Sequence, residues 1–305
     1  MMTFADQLAA LSEAGYRVAE AQAKVAHDAI LLAMYKSGFK KNCTVKGGVV
    51  MCELTRETRR TTMDIDIDFV HCSISEMSIR KVVARWARLT GFRMTIFGTI
   101  LELRQEDYRG KRVYLDISDG SIRKPIRAKV DIGVHAYKDM RQVERRFDAL
   151  AEEKRATLFA NSCEQMFAEK LLSLIRHGVM STRTKDVFDL HYLSGVVNMR
   201  RLKPFVRALI LQNRKCPLRD PVRIIDSIGK TFASRRFLRD MSSPKSNWLG
   251  LPPGKVASDV LVYLKRVLQP TRRQKMSGTS RGDQGHGIRS HGAQRMGTSF
   301  PQSRT

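Results

Sequence analysis

The sequence predicts an α+β fold, in which a mixed β-sheet with flanking helices is followed by a helical domain and a basic tail. Residues 1–146 alternate between helical and strand-like periodicity, whereas from about Phe147 apolar residues recur only at helical intervals. From Pro270 onward glycine, serine and arginine dominate, and such a composition cannot build a packed core. We therefore expect a sheet domain with N-terminal helices over 1–146, a helical domain over 147–269 and a disordered tail over 270–305.

The charge of the chain favours polyanionic partners. With 305 residues, 42% hydrophobic and 28% charged, the sequence is typical of a globular protein with a sizeable core. Its 55 Lys and Arg residues against 30 Asp and Glu give a net charge of +25. Such an excess suits nucleic acid first and anionic membranes second. Charge alone does not separate these partners from a protein that is simply basic.

Several classes of protein are disfavoured by what the sequence lacks. Its five cysteines form no CxxC pair and no metal-binding spacing with the seven histidines, which indicates a reducing compartment. The N-terminal residues lack the pattern of a signal peptide, and no stretch of 18 apolar residues follows. We therefore expect a cytoplasmic protein without a membrane span.

The elements of the sheet domain can be placed in order. Apolar residues at helical intervals predict one or two helices over Phe4–Ser37, ending at Gly38. A short strand is predicted around Thr44 and Val45, followed by the pair Gly47-Gly48 and the start of a helix. A further helix is predicted over Ser75–Leu89. Three strand-like runs follow, namely FRMTIFGTILELR, KRVYLDIS and IRAKVDIGV.

The helical domain is predicted to contain five helices. Ser162 and Gln165 form a plausible capping box for the first of them. The predicted spans are Cys163–Arg176, Lys185–Gly195, Met199–Gln212, Pro221–Asp240 and Val256–Leu268.

The segment RTTMDIDIDFV, at residues 60–70, is the strongest functional signal. In a β-strand Asp64, Asp66 and Asp68 share one face, while the intervening apolar residues share the other. Like charges this close raise each other's pKa unless a cation lies between them, which favours a divalent metal site. The alternative is an edge strand whose charged face is solvated and discourages aggregation.

A second acid strengthens the metal interpretation. Asp131 lies in AKVDIGV, on a predicted strand that could neighbour the acidic strand. Strand carboxylates converging beside a glycine turn would make a site for Mg²⁺, a cation bound by a few carboxylates together with substrate phosphates. Two such ions perform in-line displacement at phosphorus, and glycine amides can cradle a triphosphate.

Five segments in order carry a family resemblance. KGG, RTTMDIDIDF, KVDI, AEKLLSLI and RTKDVFDLHYL, spread over roughly residues 40–195, resemble the AbiEii/AbiGii family of nucleotidyltransferase toxins. The resemblance implies a polymerase-beta-like nucleotidyltransferase fold and the toxic half of a type IV toxin-antitoxin or abortive-infection system.

The resemblance also implies roles for individual residues. Gly47 and Gly48 match the family's glycine turn, Asp64 and Asp66 after Thr62 match its metal ligands, and Asp131 matches the third carboxylate, the expected general base. Asp68 is then expected to be a surface acid beyond the site, although the pair Asp66 and Asp68 is an alternative register. Val49 departs from the family, which often has a small hydroxyl residue there.

Further residues of the helical domain match the family's last two segments. Lys170 would hold the triphosphate as a point charge, although a solvated surface lysine is the ordinary interpretation. Arg183, Lys185 and Asp186 would face the cleft. Local ion pairing between Lys185 and Asp189 is the ordinary explanation for the spacing of these charges.

The function expected is the Mg²⁺-dependent transfer of a nucleoside monophosphate from an NTP to RNA, with two metal ions and a tRNA 3′ end as acceptor. A single-stranded RNA end can be gripped without melting a duplex. A protein or small-molecule acceptor is an alternative, and so is a module that binds nucleotide or RNA without turnover. A cognate antitoxin that forms no stable complex with the toxin is the expected partner of the chain.

Overall fold

The fold is organised around a seven-stranded mixed sheet. In the computed structural model the described residues are 2–104, 109–134, 142–148, 156–180 and 183–269, so the predicted tail at 270–305 lies outside them. The strands are β1 (Cys43–Lys46), β2 (Asp64–Phe69), β3 (Arg93–Arg104), β4 (Arg109–Ser118), β5 (Ile126–Val134), β6 (Gln142–Phe147) and β7 (Ala156–Asn161). They lie in the order β3-β4-β5-β2-β1-β7-β6.

The acidic strand β2 lies at the centre of this sheet. It pairs in parallel with β5 on one side and antiparallel with the short β1 on the other. Strand β1 in turn pairs in parallel with β7. Because β2 has a neighbour on both sides, the alternative of a solvated edge strand is wrong.

Ten α-helices accompany the sheet in the described part of the chain. They are α1 (Phe4–Glu13), α2 (Val18–Lys36), α3 (Gly47–Thr55), α4 (Glu76–Thr90), α5 (Cys163–His177), α6 (Lys185–Ser194), α7 (Met199–Val206), α8 (Pro221–Ala233), α9 (Arg235–Met241) and α10 (Pro253–Leu268). No helix among these residues is both long and apolar enough to cross a membrane.

The two faces of β2 have opposite character, as the alternation predicts. Ile65 and Ile67 are fully buried and belong to the hydrophobic core, on the side of the sheet where α2 packs against β5 and α4 against β3. The aspartates point to the opposite face, which we call the front face of the sheet. The core therefore holds the acidic strand in a single register, because a slip of one residue would bury the carboxylates.

The predicted change to helices at Phe147 is wrong. Strand β7 lies beyond that point and closes the sheet by pairing with β1 and β6. Its six residues, ATLFAN, are too few to distinguish strand from helix by periodicity. The described residues up to Leu268 form one compact unit, and the division of this unit into a sheet domain and a helical domain stays a prediction.

Two predicted helices are interrupted. The span Pro221–Asp240 is divided at Ser234, whose side chain accepts a hydrogen bond from the Phe237 amide and so caps α9. The span Met199–Gln212 begins as α7 and continues as a π-helical turn over Arg207–Leu211. Helix α5 starts as predicted, since Ser162 accepts from the Gln165 amide.

Candidate active site

The front face of β2 carries three carboxylates in different environments. The Asp64 side chain is 38% exposed, whereas that of Asp68 is only 5% exposed and forms a 2.6 Å ion pair with Lys46. The expectation that Asp68 is a surface acid is therefore wrong. Lys46 stands directly before the glycine pair, on the strand that neighbours β2.

Asp131 lies beside these acids, as predicted. The parallel pairing of β2 and β5 places Asp131 directly opposite Asp66 and Lys129 directly opposite Asp64. Residues opposite one another on neighbouring strands lie on the same face. The sheet thus gathers Asp64, Asp66 and Asp131 on its front face.

The glycine turn touches the acidic strand. Gly47 has a φ of +67°, and a side-chain carbon at this position would collide with a carboxylate oxygen of Asp66. A carbon at Gly48 would likewise collide with the hydroxyl of Thr62, which itself donates a hydrogen bond to the Asp64 carbonyl. The glycines therefore bring the N-terminus of α3 against β2, and a helix N-terminus beside an open backbone suits phosphate binding.

Burial raises the pKa of Asp66 above the usual value for aspartate. Loss of solvent raises its pKa, Lys46 opposes this effect, and the charges of Asp131 and Asp64 add to it, so that the pKa is about 6. Arg183 also lowers the pKa, which places the charge of Arg183 near Asp66. In the described part of the chain no ion pair neutralises Asp66, as expected of a carboxylate suited to a cation.

Cations of the sheet hold the other two proposed ligands. Arg112 of β4 donates two hydrogen bonds to Asp131, at 2.7 and 2.8 Å, and Lys129 donates one to Asp64 at 2.6 Å. In this arrangement Asp131 and Asp64 point toward Arg112 and Lys129 and not toward a common metal position. Accordingly, the described residues contain no group of three or more His, Cys, Asp or Glu side chains placed to bind one metal ion.

The donor set nevertheless fits Mg²⁺. All three ligands are carboxylates on one sheet face, and Mg²⁺ is ordinarily held by one or two carboxylates together with water and substrate phosphates. Binding would require Asp64 and Asp131 to exchange Lys129 and Arg112 for the metal. The charge repulsion that raises the pKa of Asp66 would be relieved at the same time.

A second polar cluster centres on Asp189 of α6, which is fully buried. Its carboxylate accepts two hydrogen bonds from Arg60, both at 2.7 Å, one from the Trp248 indole at 3.1 Å, and pairs with Lys170 at 2.7 Å. Burial alone would raise the pKa of Asp189, but Arg60 and Lys170 lower it to about 2. The cluster ties the segment entering β2 to the helices.

The four predicted residues of the helical part fall in or near this cluster. Lys170 pairs with Asp186 at 2.6 Å as well as with Asp189. Lys185 donates a hydrogen bond to the Thr61 carbonyl at 3.0 Å. Asp189 pairs instead with Arg60 and Lys170, so the structure does not show the expected local ion pair between Lys185 and Asp189. Of the four, Arg183 is the one whose charge lowers the pKa of Asp66.

Sequence reasoning missed several cations that organise the site. Arg60 opens the acidic segment, Lys46 opens KGG, and Lys129 stands two residues before Asp131 in KVD. The alternation of strand side chains offered a signal for Lys129, because it places Lys129 on the face of Asp131. No local pattern identifies Arg60 as a partner of Asp189, 129 residues later.

A cavity of about 300 Å³ lies beside the glycine turn. Val49 and Thr62 contribute to its wall, together with residues of α2 and α3, but none of the three proposed metal ligands lines it. Its lining includes the paired Lys24 and Asp28 of α2, which are 2.6 Å apart.

Comparison with known proteins identifies the family of the chain. The family model described as "Nucleotidyl transferase AbiEii toxin, Type IV TA system" matches residues 29–242. The chain belongs to the AbiEii family. This match extends beyond the 40–195 of the sequence resemblance and includes the C-terminal part of α2 and all of α9. As an AbiEii protein the chain is a nucleotidyltransferase of the kind found in type IV toxin-antitoxin systems.

Solved structures similar to this AbiEii chain are distant. JHP933 from Helicobacter pylori is 14% identical, with a TM-score of 0.44 over 83% of this chain and 95% of that one. An antigenic nucleotidyltransferase-like protein from Paracoccidioides brasiliensis is 13% identical, with a TM-score of 0.36 over 70% of this chain and 91% of that one. No curated protein matches the chain.

Replacing Asp66 with asparagine should stabilise the metal-free protein at high pH. The folded state holds the Asp66 proton more tightly than the unfolded chain, so this residue's contribution to stability is lost as the pH rises from 3.8 to about 6. In EDTA at pH 8 we expect Asp66→Asn to raise the free energy of unfolding by about 1–3 kcal/mol, and to have no such effect below pH 4. Urea unfolding across this range measures it.

The control for this experiment is Asp226→Asn, which changes an exposed carboxylate paired with Lys230. It should shift the free energy of unfolding by less than about 0.5 kcal/mol at either pH. A loss of stability in Asp66→Asn at pH 8 would contradict the assignment of a raised pKa to Asp66.

Loss of the Asp189 charge should be among the most damaging single changes. Asp189→Asn leaves Arg60 and Lys170 without their shared buried partner, and breaking such a pair costs about 3–5 kcal/mol. Urea unfolding of Asp189→Asn beside the exposed control Asp226→Asn measures the difference. Equal stabilities for the two variants would show that the cluster does not hold the segment entering β2.

The close approach of Gly47 to Asp66 can be separated from its backbone strain. Gly47 and Gly38 share a φ of +67°, but a side-chain carbon at Gly38 would meet nothing within 4 Å. Both alanine variants should lose about 1–2 kcal/mol from strain. Gly47→Ala should lose more than Gly38→Ala, because Asp66 must also move, and thermal unfolding compares the two. Equal losses would mean that the contact with Asp66 is dispensable.

Proposed function

We propose that this AbiEii protein transfers a nucleoside monophosphate from an NTP to the 3′ end of RNA, with a tRNA as acceptor and Mg²⁺ as the metal. The observation that carries the proposal is the position of Asp131 directly opposite Asp66, with the Gly47-Gly48 turn in contact with the same strand. The net charge of +25 supports a polyanionic acceptor.

The donor nucleotide would bind on the β1 side of β2. The amides of Gly47 and Gly48 at the start of α3 would cradle its triphosphate, and Thr62 would fix the glycine turn. Arg183 would add a positive charge beside the triphosphate, since it lies close enough to Asp66 to lower the pKa of that carboxyl. To reach a phosphate, Lys170 would have to break its ion pair with Asp186 or with Asp189. The main role of Lys170, Lys185 and Asp186 would therefore be to hold the segment entering β2 in place.

The acidic residues would carry the reaction itself. Asp64 and Asp66 would hold two Mg²⁺ ions with Asp131, and when bound these ions activate the attacking hydroxyl and neutralise the departing pyrophosphate. Asp131 would accept the proton of the RNA 3′ hydroxyl as that oxygen bonds to the α-phosphorus. The bond from the α-phosphorus to the oxygen that bridges it to the β-phosphorus breaks in the same displacement, and pyrophosphate leaves with that oxygen.

The register Asp64 and Asp66 is supported over Asp66 and Asp68. Asp68 is buried against Lys46. Lys46 also lies near Glu169, where burial raises the pKa of the carboxyl and the charge of Lys46 opposes that effect. Redirecting a carboxylate buried in this way is costly, because the buried ion pair between Asp68 and Lys46 would have to be broken. Asp64 is the more exposed of the two and is paired with Lys129, which is itself partly exposed.

The family implies an antitoxin in the biology of this protein. We propose that it opposes the toxin without forming a stable complex with it. On this view toxicity follows from modified tRNA ends that can no longer serve translation.

Labelling identifies the donor and the acceptor together. Purified protein is incubated with total RNA and each α-³²P-labelled NTP in Mg²⁺, beside Asp66→Asn and the exposed control Asp226→Asn. We expect a labelled tRNA-sized band from the native protein and from the control, and a loss of at least about 100-fold in Asp66→Asn, since a ligand of the reacting metals is removed. Label in protein or in a small molecule instead would overturn the RNA acceptor, and an undiminished band in Asp66→Asn would overturn the site.

A further inference from the structure

The front face of the sheet continues from the acidic site across three more strands. Pairing places Phe97 of β3, Tyr114 of β4, Lys129 of β5 and Asp64 of β2 in one row. A second row runs parallel to it and contains Leu101, Arg112, Asp131 and Asp66 in the same strand order. With neighbouring strands about 4.8 Å apart, each row spans about 14 Å and ends on a proposed metal ligand.

The outer part of this face is apolar and open. Phe97 is 49% exposed and Leu101 is 44% exposed, although both lie on a sheet whose other face is packed against helices. The guanidinium of Arg127 lies 3.3 Å from the centre of the Phe97 ring and donates two hydrogen bonds to Asp116. We call Phe97, Leu101, Arg112, Tyr114, Arg127 and Lys129 the β3–β5 face.

Two of the cations on this face are paired with the proposed metal ligands. Arg112 holds Asp131 and Lys129 holds Asp64, and each of the two cations is 28% exposed. Occupation of the carboxylates by Mg²⁺ would free both cations beside the reacting centre. The β3–β5 face would then present cations as well as aromatic rings, which is the combination that binds single-stranded nucleic acid.

The face also lies on the side where the acceptor must enter. The glycine turn follows β1, on one side of β2, whereas Asp131, Arg112 and Tyr114 lie on the other side. With the donor triphosphate at the glycines, the hydroxyl that Asp131 deprotonates has to approach across β5 and β4. Single-stranded RNA is bound in this manner by sheets whose aromatic residues stack two or three bases.

We propose that the β3–β5 face binds the single-stranded 3′ segment of the acceptor RNA, with bases stacked on Phe97 and Tyr114 and backbone phosphates held by Arg112, Lys129 and Arg127. The inference rests on the proposed nucleotidyl transfer for its direction, because the 3′ end must reach Asp131. Its surface and the class of its ligand follow from the exposed Phe97, the partly exposed Tyr114 and the cations beside them.

Direct RNA binding tests the face without requiring catalysis. Fluorescence anisotropy of a labelled single-stranded RNA oligonucleotide is measured with the full chain in Mg²⁺ and a non-hydrolysable NTP. Phe97→Ala and Tyr114→Ala should each weaken binding by about 5- to 100-fold, the usual cost of losing one stacked base. Tyr114→Phe keeps the ring and should restore native affinity.

The matched control is Met77→Ala, which removes an exposed apolar side chain from α4, and it should bind RNA as the native chain does. Arg127→Gln should reduce the slope of log affinity against log salt by about 0.7, the value for one lost phosphate contact on a single strand. Thermal unfolding of all variants separates loss of binding from loss of folding, and Tyr114→Phe distinguishes loss of stacking from a general disturbance of the sheet.

The outcomes separate this inference from the proposed function. Native RNA affinity in both alanine variants, equal affinity for a blunt RNA duplex, or no RNA binding by the native chain would overturn the β3–β5 face as an RNA site. Binding that depends on Phe97 and Tyr114, with no transfer of labelled nucleotide, would support the face and overturn the catalytic proposal. Transfer of labelled nucleotide to RNA that is unchanged in Phe97→Ala and Tyr114→Ala would support the catalytic proposal and overturn the face as an RNA site.

Discussion

The parallel pairing of β2 with β5 is the constraint on which the acidic site depends. It joins strands separated by 65 residues along the chain, as the ion pair between Asp64 and Lys129 shows, and it fixes which side chains stand opposite one another. Since the apolar residues of both strands are buried on the other face, neither strand can shift by one residue without exposing the core. The positions of Asp64, Asp66 and Asp131 therefore follow from packing on the side remote from the reaction.

Charge compensation accounts for most of the remaining architecture around the acids. Asp68 is matched by Lys46, Asp131 by Arg112 and Asp189 by Arg60 with Lys170, whereas Asp66 is left with a raised pKa. Buried charges survive only when paired and hydrogen-bonded, so each pair also fixes the elements that bear it. Asp66, which forms no ion pair with the described residues, is also the residue that both possible registers of the metal pair contain.

The sequence predicted much of this fold and less of the charge network. The aspartates, the glycine turn and Asp131 were recognisable because strand alternation and short motifs act locally. Strand β7 was missed because six residues carry too little periodicity, and Asp68 was misplaced because its cover comes from Lys46 on a neighbouring strand. The Arg60–Asp189 contact joins residues 129 apart, and no local pattern encodes a contact over such a distance.

That separation has a consequence during synthesis. The ribosome completes the whole acidic segment well before it adds Asp189, so Arg60 waits without its buried partner while more than a hundred residues are made. Strand β1 likewise waits for β7 to pair along its second edge. Domains fold as units once their sequence is available. A nascent or truncated chain ending before α6 therefore carries every proposed metal ligand but lacks the contacts that hold the acidic strand to the helices.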